Sequence, residues 1–297
     1  MSILLTGSSG FLGKNLIVEI SKQDLVYTLN RNSGDFKCDL SKEIPTFNIE
    51  FDCVIHAAGC AHLVPVNLND EKLISNSNIF GTINLLKGLE INKIPKSFVF
   101  ISSVSVYGLE FGQNINENHA LLAKEPYGLS KIESEKIILR WCSKNNVTCT
   151  ILRLPLVFGR DPIGNLGSMF NAIKKGYYFN IGGGHTRRSM VLASDVAKYI
   201  LVASRVGGIY NLTDGYHPTF FDLSIKISKI YNKNRVYNIP IMLAYLIAFF
   251  GDLFGNLVPL NSLKLKKIMS NLTFDDTKAK QYFGWNPTPL IRNDNFY

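Results

Sequence analysis

The chain has 297 residues, with 46% apolar and 19% charged side chains, and its formal net charge is +9 at pH 7. These values are typical of a soluble globular protein large enough for two domains. The basic residues are scattered and lack the interleaved aromatic residues of a nucleic-acid surface. This pattern excludes nucleic acid and favours polyphosphorylated small molecules as partners.

The cysteines and the chain start indicate a reducing compartment. The sequence has five cysteines, an odd number, without CxxC spacing, so we expect reduced, mostly buried thiols and no metal site. The first residues carry neither the basic stretch nor the cleavable apolar segment of a secretion signal, so we expect a cytoplasmic protein.

The most apolar stretch, 239–260, is interrupted by Pro240, Gly251, Asp252 and Gly255. No continuous run approaches the ~20 apolar residues that a bilayer span needs, so we expect no transmembrane span. The stretch is expected to be a packed helix of a second domain, with contact to a membrane surface as the alternative.

Short apolar strands alternate with helical patterns in the first half of the chain. Strands are predicted at 3–5, 25–29, 53–55 and 98–101, and apolar residues recur at helical spacing over 79–89. This alternation predicts an α/β fold, a Rossmann-like, doubly wound parallel sheet with helices on both faces.

The pattern is less regular in the second half. We predict a main domain at 1–160, rejoined by 191–212, and a smaller, mainly substrate-binding domain at 161–297. Two loops, two helices and one strand that returns to the main sheet are predicted at 164–165, 182–184, 195–203, 221–231 and 209–212.

A glycine-rich loop joins the first strand to the first helix, in the sequence Thr-Gly-Ser-Ser-Gly-Phe-Leu-Gly. Three glycines at this spacing permit a tight turn, close approach of the backbone to a pyrophosphate and close packing of helix on strand, and the helix N-terminus offers free N–H groups. The alternative is a merely structural turn. Dinucleotide binding is predicted for Gly7, Ser9, Gly10, Phe11, Leu12 and Gly13.

The second strand ends in Asn30 and Arg31, without the carboxylate that binds the adenosine ribose and favours NAD. The guanidinium of Arg31 matches the geometry of a ribose 2′-phosphate, although a solvated surface arginine is the alternative. We therefore favour NADP (NADPH) as the cofactor, with NAD as the alternative, and place Asp39 and Leu40 at the adenine edge.

Tyr127 and Lys131 are four residues apart, on one face of a helix that begins near Pro126. A free phenol has a pKa of about 10 and is a poor base at neutral pH. A nearby ammonium favours the phenolate, so Lys131 is expected to make Tyr127 a usable acid–base group. The spacing alone is common by chance.

Ser102 and Ser103 follow the strand predicted at 98–101. Ligand chemistry in an open α/β sheet takes place beyond the carboxyl ends of its strands, where a serine can hydrogen-bond a reacting oxygen. The alternative is that these hydroxyls only cap the strand end.

Together these motifs resemble the extended short-chain dehydrogenases/reductases, specifically the NAD-dependent epimerase/dehydratase group that acts on nucleotide sugars. The resemblance covers about residues 1–290. Besides the glycine-rich loop it includes His-Ala-Ala-Gly at 56–59, Asn-Ile-Phe-Gly-Thr at 78–82, the stretch 102–108, Tyr127, Lys131, Arg153, Pro155, Phe158 and Gly159.

The resemblance implies roles for single residues. Ser103, Tyr127 and Lys131 match the catalytic Ser/Thr, the acid–base tyrosine and the lysine that also binds the nicotinamide ribose. It also implies a homodimer through the helices at 78–92 and 127–143. Further cofactor contacts are implied or expected for Ala57, Ala58, Gly59, Asn78, Ser102 and Pro155, and contacts to a UDP- or dTDP-linked sugar for Ser103, Ser105, Asn165 and Arg188.

Two departures from the family pattern narrow the reaction. Val104 and Ser105 stand where family dehydratases carry an Asp-Glu pair, so elimination chemistry is not expected. The segments 62–63, 164–165 and 187–189 resemble reductases of UDP-4-keto-6-deoxy-hexosamines in bacterial surface-polysaccharide pathways. We therefore expect reduction of a C4 ketone, with a nucleotide-sugar 4-epimerase as the first alternative and a catalytically inactive, nucleotide-sensing binding protein as another.

Arg188 lies seven residues before Asp195, as in the family's Arg-Asp…Asp pattern, with Ser189 in place of the first Asp. A guanidinium suits phosphate oxygens, so Arg188 is expected to reach the substrate diphosphate. The alternative is a structural ion pair with Asp195, and Arg187 is expected to be the more solvated of the two arginines.

Overall fold

The computed structural model describes residues 1–61, 63, 65–159, 162–233, 235–255 and 260–292. The strands in these ranges are β1 (Ser2–Thr6), β2 (Leu25–Asn30), β3 (Phe36–Lys37), β4 (Cys53–His56), β5 (Ser97–Ser103), β6 (Gly112–Ile115), β7 (Thr148–Leu154), β8 (Leu156–Phe158), β9 (Phe179–Ile181), β10 (Met190–Leu192), β11 (Gly208–Asn211), β12 (Tyr237–Ile239) and β13 (Leu272–Phe274). The α-helices are α1 (Phe11–Ile20), α2 (Leu68–Ser75), α3 (Gly81–Asn92), α4 (Pro126–Lys144), α5 (Gly164–Lys175), α6 (Ala193–Val206), α7 (Phe220–Ile230), α8 (Ile241–Phe254), α9 (Ser262–Ile268) and α10 (Thr277–Phe283).

Seven strands form one parallel sheet in the order β11-β7-β5-β4-β1-β2-β3. The strand order reverses between β1 and β4, the point at which open α/β sheets form a ligand-binding crevice beyond the carboxyl ends of their strands. The register places Thr6 beside Leu29 and His56, and Ser103 beside Leu154. The sheet therefore brings the loops after β1, β2, β4 and β5 to one edge.

The sheet is covered on both faces, which explains the uninterrupted apolar strands. In β1, Ile3, Leu4 and Leu5 are fully buried in succession because neighbouring side chains on a doubly covered strand both meet protein. Ile3 and Leu5 pack with α1 and α6, whereas Leu4 packs with α3 and α4. The predicted doubly wound α/β fold is confirmed.

In the second half, one predicted loop is the start of a helix instead. The helices predicted at 195–203 and 221–231 are present as α6 and α7, and the strand at 209–212 joins the main sheet as β11. The loop predicted at 164–165 is wrong, because α5 begins there. A Cβ on Gly167 would lie 2.3 Å from the carbonyl oxygen of Pro162, so glycine is needed in this first turn. The division at residue 160 stays a prediction.

The apolar stretch around α8 is a helix, but the expectation that it is packed is wrong for most of its surface. Only Ala244, Ala248 and Gly251 of α8 are buried. These small residues recur every three or four positions and form one stripe, so the larger apolar side chains face outward. None of the helices in the described ranges is both long and apolar enough to cross a bilayer.

Candidate active site

The glycine-rich loop after β1 is held against the loop after β4. Gly7 has a φ of +72° and donates its N–H to the carbonyl oxygen of Leu29 at 3.0 Å. A Cβ on Gly7 would lie 2.7 Å from the Cα of Ala58, and one on Gly13 would lie 2.1 Å from the carbonyl oxygen of Gly7. Both positions therefore require glycine, because a side chain would separate the loop from its neighbours.

The N-terminus of α1 suits an anionic ligand. Gly10 occupies the N-cap and has no side chain with which to accept from the first turn, which consists of Phe11, Leu12 and Gly13. The backbone N–H groups of this turn and the positive end of the helix dipole can therefore meet phosphate oxygens. Phe11 also lies close to Gly159, whose Cβ would be 3.2 Å from the Phe11 ring.

Asn30, at the end of β2, was not among the predicted site residues. Its Oδ1 accepts from the N–H of Ser9 at 3.1 Å, and its Nδ2 donates to the hydroxyl of Ser8 at 2.8 Å. Because Asn30 is buried, these bonds fix the glycine-rich loop from the β2 side. In the sequence, the amide of Asn30 stands where a ribose-binding carboxylate is expected. This was the signal that could have identified it as a site residue.

Arg31 and Asp39 lie together beyond β2. The Nε of Arg31 is 3.6 Å from a carboxylate oxygen of Asp39, and the Arg31 side chain is largely exposed. The same carboxylate accepts from the N–H and hydroxyl of Ser41, and these bonds hold the pKa of Asp39 below its usual range. Asn84 donates to the carbonyl oxygen of the neighbouring Leu40 at 2.8 Å.

The loop after β4 is fixed by a chain of buried hydrogen bonds around His56. The Thr82 hydroxyl donates to the carbonyl oxygen of Asn78 at 2.7 Å, so it accepts from Nε2–H of His56, 3.0 Å away. Nδ1 of His56 then accepts from the Thr6 hydroxyl at 2.8 Å, and Thr6 accepts from the N–H of Ala58 at 3.1 Å. Burial lowers the pKa of His56 to about 3, so the ring stays neutral as this chain of bonds requires.

Asn78 connects that loop to the helix that carries Tyr127. It lies in a π-helical turn, Asn76–Phe80, between α2 and α3. Its Oδ1 accepts from the N–H of Cys60 at 2.7 Å, and its Nδ2 donates to the hydroxyl of Ser130 at 2.8 Å. A Cβ on Gly59 would lie 2.8 Å from the same Oδ1. The predicted cofactor residues Ala57, Ala58, Gly59 and Asn78 therefore form one connected wall.

Ser103 and Tyr127 meet at the ends of β5 and α4. Ser103 donates its hydroxyl proton to the hydroxyl of Ser105 at 3.0 Å and accepts from the N–H of Ser105 at 3.1 Å. Burial raises the pKa of Tyr127 to about 12, while a hydrogen bond with Ser103 acts in the opposite direction. The phenol is therefore a protonated group at neutral pH.

Lys131 lies behind this pair. Its Nζ donates to the carbonyl oxygen of Ile101 at 2.9 Å and lies 4.6 Å from the centroid of the Phe100 ring and 5.9 Å from that of Tyr127. Burial lowers the pKa of Lys131 to about 8, and Glu135 opposes this shift. The expectation that Lys131 gives Tyr127 a low pKa is wrong in this structure, because desolvation of the phenol outweighs the ammonium, whose Nζ is 5.9 Å from the ring centroid.

Ser102 differs from its neighbour. Its hydroxyl donates to Glu135 at 2.5 Å in the interior, so this side chain does not join Ser103 at the surface of the crevice. Glu135 also forms a bidentate ion pair with Arg153. The Ser102 hydroxyl therefore belongs to a buried polar cluster beneath the site, and a cofactor contact of Ser102 stays a prediction.

The predicted substrate residues lie on several elements. Asn165 is exposed in the first turn of α5, and Pro155 lies between β7 and β8. The guanidinium of Arg188 donates to the carbonyl oxygen of Lys267 on α9, and its side chain is half-buried. The carboxylate of Asp195 instead accepts from the N–H of Thr288 at 2.7 Å.

The described contacts do not connect Asn165 or Arg188 directly to Ser103, Tyr127 or Lys131. His62, from the segment 62–63 that resembles the reductases, lies outside the described residues. Over the parts of the chain that the structure describes, no group of three or more His, Cys, Asp or Glu side chains is placed to hold a metal ion.

Comparison with known proteins gives close to full-length matches. The UDP-glucose 4-epimerase of Vibrio cholerae is 26% identical over 319 residues, which cover 98% of this chain and 92% of the relative. The N-acetyl-alpha-D-glucosaminyl-diphospho-ditrans,octacis-undecaprenol 4-epimerase of Escherichia coli O157:H7 is 25% identical over 297 residues, covering 94% and 88%.

Comparison with solved structures supports the Rossmann-like α/β fold. The structure of RMD from Pseudomonas aeruginosa complexed with NADPH superposes with a TM-score of 0.71 at 22% sequence identity, covering 98% of this chain and 94% of that one. Residues 3–213 match the model of the NAD dependent epimerase/dehydratase family, so the resemblance drawn from the motifs is confirmed. The chain belongs to the NAD dependent epimerase/dehydratase family.

Proposed function

We propose that this enzyme uses NADPH to reduce the C4 ketone of a nucleotide-linked 4-keto-6-deoxy-hexose or hexosamine. The observation that carries the proposal is the protonated Tyr127 beside Ser103. Ketone reduction needs a proton donor at the carbonyl oxygen, and a phenol whose pKa is about 12 keeps its proton until a stronger base forms in front of it.

The bound nicotinamide cofactor supplies the hydride in this reaction. The Tyr127 hydroxyl then protonates the developing alkoxide, which is more basic than a phenolate. Ser103 holds the same oxygen, using the hydroxyl that now donates to Ser105. Lys131 lies close to both Tyr127 and Gly59. It can therefore hold the Tyr127 phenol in position and reach a ribose hydroxyl in the crevice.

The residues of the crevice fit a dinucleotide. The uncapped first turn of α1 offers the backbone N–H groups of Phe11, Leu12 and Gly13 to a pyrophosphate, and the glycines at 7, 10 and 13 permit its close approach to the backbone. We propose that Arg31 leaves Asp39 to pair with a 2′-phosphate, since the present contact is long and exposed and such pairs contribute little. RMD is complexed with NADPH and other structural neighbours with NAD, so these complexes support a nicotinamide cofactor of either kind.

Arg188 is proposed to bind the diphosphate of the substrate. Among the described contacts, only its Nη2 donates, to the carbonyl oxygen of Lys267, and a guanidinium has further N–H donors for phosphate oxygens. We expect Arg188→Ala to weaken the binding of free UDP in calorimetry and to leave NADPH binding unchanged, with Arg187→Ala as the control. A folded Arg188→Ala variant that binds UDP as tightly as the parent would exclude this role.

A 4-epimerase is the second candidate, because two of the relatives that match nearly the whole chain are named as 4-epimerases. An epimerase must turn its keto intermediate within the site and keep its cofactor throughout. It therefore predicts NAD that survives purification, whereas the reductase predicts an exchangeable cofactor.

The experiment that separates the two candidates is product analysis by mass spectrometry with a panel of UDP- and dTDP-sugars and their 4-keto forms. A polyprenyl-diphosphate sugar belongs in the panel, since the E. coli relative is named for such a substrate. Reduction of 4-keto forms with consumption of NADPH supports the proposal. Conversion between the C4 epimers of a sugar without net consumption of cofactor favours the epimerase.

A further inference from the structure

Helix α8 presents an apolar surface that the described parts of the chain leave uncovered. Its buried stripe of Ala244, Ala248 and Gly251 packs against α9 and the strands β9 and β12. The opposite side carries Met242, which is 83% exposed, and Leu253, which is 65% exposed. The other exposed apolar residues of α8 are Ile241, Leu243, Tyr245, Leu246, Phe249, Phe250 and Phe254.

A helix that is apolar around most of its circumference needs an apolar environment. The single charged residue of α8, Asp252, accepts from the N–H and hydroxyl of Ser262 at 3.1 and 2.5 Å and so is committed to α9. With 14 residues, α8 is about 21 Å long, which is too short to span a bilayer but suits a helix lying in its interface.

The charge of the surrounding sequence indicates what covers this surface. Between positions 223 and 274 there are seven basic residues and one acidic residue, so this segment carries +6 of the chain's net charge of +9. Lys267 forms an ion pair with Glu110, which lies outside the segment. The basic residues are Lys226, Lys229, Lys233, Arg235, Lys264, Lys266 and Lys267.

We propose that α8 docks the enzyme on an anionic lipid surface, with its outer side chains among the acyl chains and the nearby lysines against the headgroups. Lys264, Lys266 and Lys267 lie on α9, whose Leu265 packs directly under α8. An apolar helix flanked by lysines combines the two contributions that hold interfacial helices on membranes.

A second copy of the chain fits this surface less well. In a twofold dimer the same patch faces itself, which would bring the basic residues beside α8 and α9 close to their own copies. Like charges brought together in this way oppose association, whereas an anionic membrane neutralises them. Lipid also makes no demand for hydrogen bonds across the contact, and the outer side of α8 offers almost none.

Co-sedimentation of the purified full-length enzyme with vesicles tests the proposal. We expect binding to vesicles of phosphatidylcholine with phosphatidylglycerol, and weaker binding to phosphatidylcholine alone. Loss of one lysine near the surface, as in Lys266→Gln, should weaken binding to the anionic vesicles about fivefold. Rising salt should weaken it as well.

Leu253→Glu should reduce partitioning at least about tenfold, because an apolar side chain leaves the membrane and a charge replaces it. Val18→Glu on α1 is the matched control, since Val18 is also helical and is 64% exposed. Met242→Glu gives a second variant should Leu253→Glu fold poorly, as judged by circular dichroism.

Vesicle binding needs no turnover, so its outcome is independent of the proposed reaction. Absence of vesicle binding by the parent enzyme, or an equal loss in Val18→Glu and Leu253→Glu, would overturn the proposal. A dimer that Leu253→Glu dissociates in sedimentation velocity, without any vesicle binding, would assign the surface to a second copy instead.

Discussion

The carboxylate of Glu135 receives two hydrogen bonds from the guanidinium of Arg153, at 3.1 and 2.7 Å, and the two side chains are 2% and 3% exposed. Arg153 also donates to the hydroxyl of Tyr107, which in turn donates to Asn211 at 2.7 Å. This buried cluster lies beneath the site, because Glu135 is one helical turn after Lys131 and accepts from Ser102.

Removing the acid from this cluster should be costly. Glu135→Ala leaves the Arg153 cation buried without its partner, and we expect the free energy of unfolding to fall by about 3–5 kcal/mol. Glu133→Ala on the same helix is the control, because Glu133 forms only an exposed pair with Lys136 and should cost at most about 1 kcal/mol. Equal losses in urea unfolding would contradict this account of the cluster.

Loss of the Tyr127 hydroxyl should remove proton transfer with little effect on the fold. Tyr127→Phe is expected to lower kcat roughly 10²–10⁴-fold and to leave NADPH affinity nearly intact. Tyr107→Phe is the matched control, since it removes a buried hydroxyl that bonds Asn211 and should change stability rather than rate. Near-full turnover by Tyr127→Phe would exclude the proposed mechanism.

The stability of the cofactor-free enzyme should depend on pH through Lys131. Its folded pKa is about 8 and its ordinary value is 10.5. Between these values the unfolded chain holds a proton on this lysine that the folded protein has released, so Lys131 makes the free energy of unfolding rise with pH. From pH 8 to 10 the stability of the parent relative to Lys131→Met should therefore rise by about 2–3 kcal/mol, while the raised pKa values of buried Cys38, Cys53 and Cys142 act in the opposite direction in both proteins.

Tyr127 contributes with the opposite sign above about pH 10, because its folded pKa is about 12 against an ordinary value of 10.0 and the unfolded phenol loses its proton first. Denaturant titrations of the parent and Lys131→Met at several pH values check both limbs. A parent enzyme whose stability relative to Lys131→Met does not change between pH 8 and 10 would show that Lys131 is not desolvated.

Cofactor preference should favour NADPH over NADH and should depend on Arg31. Arg31→Ala should weaken NADPH binding about ten- to a hundredfold, as expected for a charge-assisted hydrogen bond of 1.5–3 kcal/mol, and should barely change NADH binding. Lys37→Ala on β3, a change of a nearby exposed cation, serves as the control. Equal affinity of the parent for both cofactors would contradict the assignment of NADP and would favour the epimerase.

The sequence predicted what regular patterns encode. Apolar runs such as Ile3 to Leu5 imply strands buried on both faces, and the glycines at 7, 10 and 13 imply a loop that approaches a pyrophosphate closely, so the sheet and the loop could be predicted directly. The prediction of a loop at 164–165 is wrong because it relied on glycine and asparagine, which usually occur in loops. Here Gly167 permits close approach of the Pro162 carbonyl, which only the folded chain reveals.

Polar contacts between residues far apart in the chain could not be predicted from the sequence. The bond of Asn30 to the loop, the pairing of Glu135 with Arg153 and the high pKa of Tyr127 all depend on which side chains are buried together. The exposure of α8 could not be predicted from the sequence either. Hydropathy does not distinguish a helix that packs on both sides from one that packs only through Ala244, Ala248 and Gly251.

The most direct test of the proposed reduction is the transfer of deuterium. The enzyme is incubated with a UDP-4-keto-6-deoxy-hexosamine and NADPH that carries deuterium in place of both hydrogens at nicotinamide C4, and the product is analysed by mass spectrometry and NMR. The account predicts a 4-hydroxy sugar with deuterium on C4, formed in proportion to the NADPH consumed and lost with Tyr127→Phe. Turnover of nucleotide sugars to their C4 epimers, without label in the product and without consumption of NADPH, would contradict it.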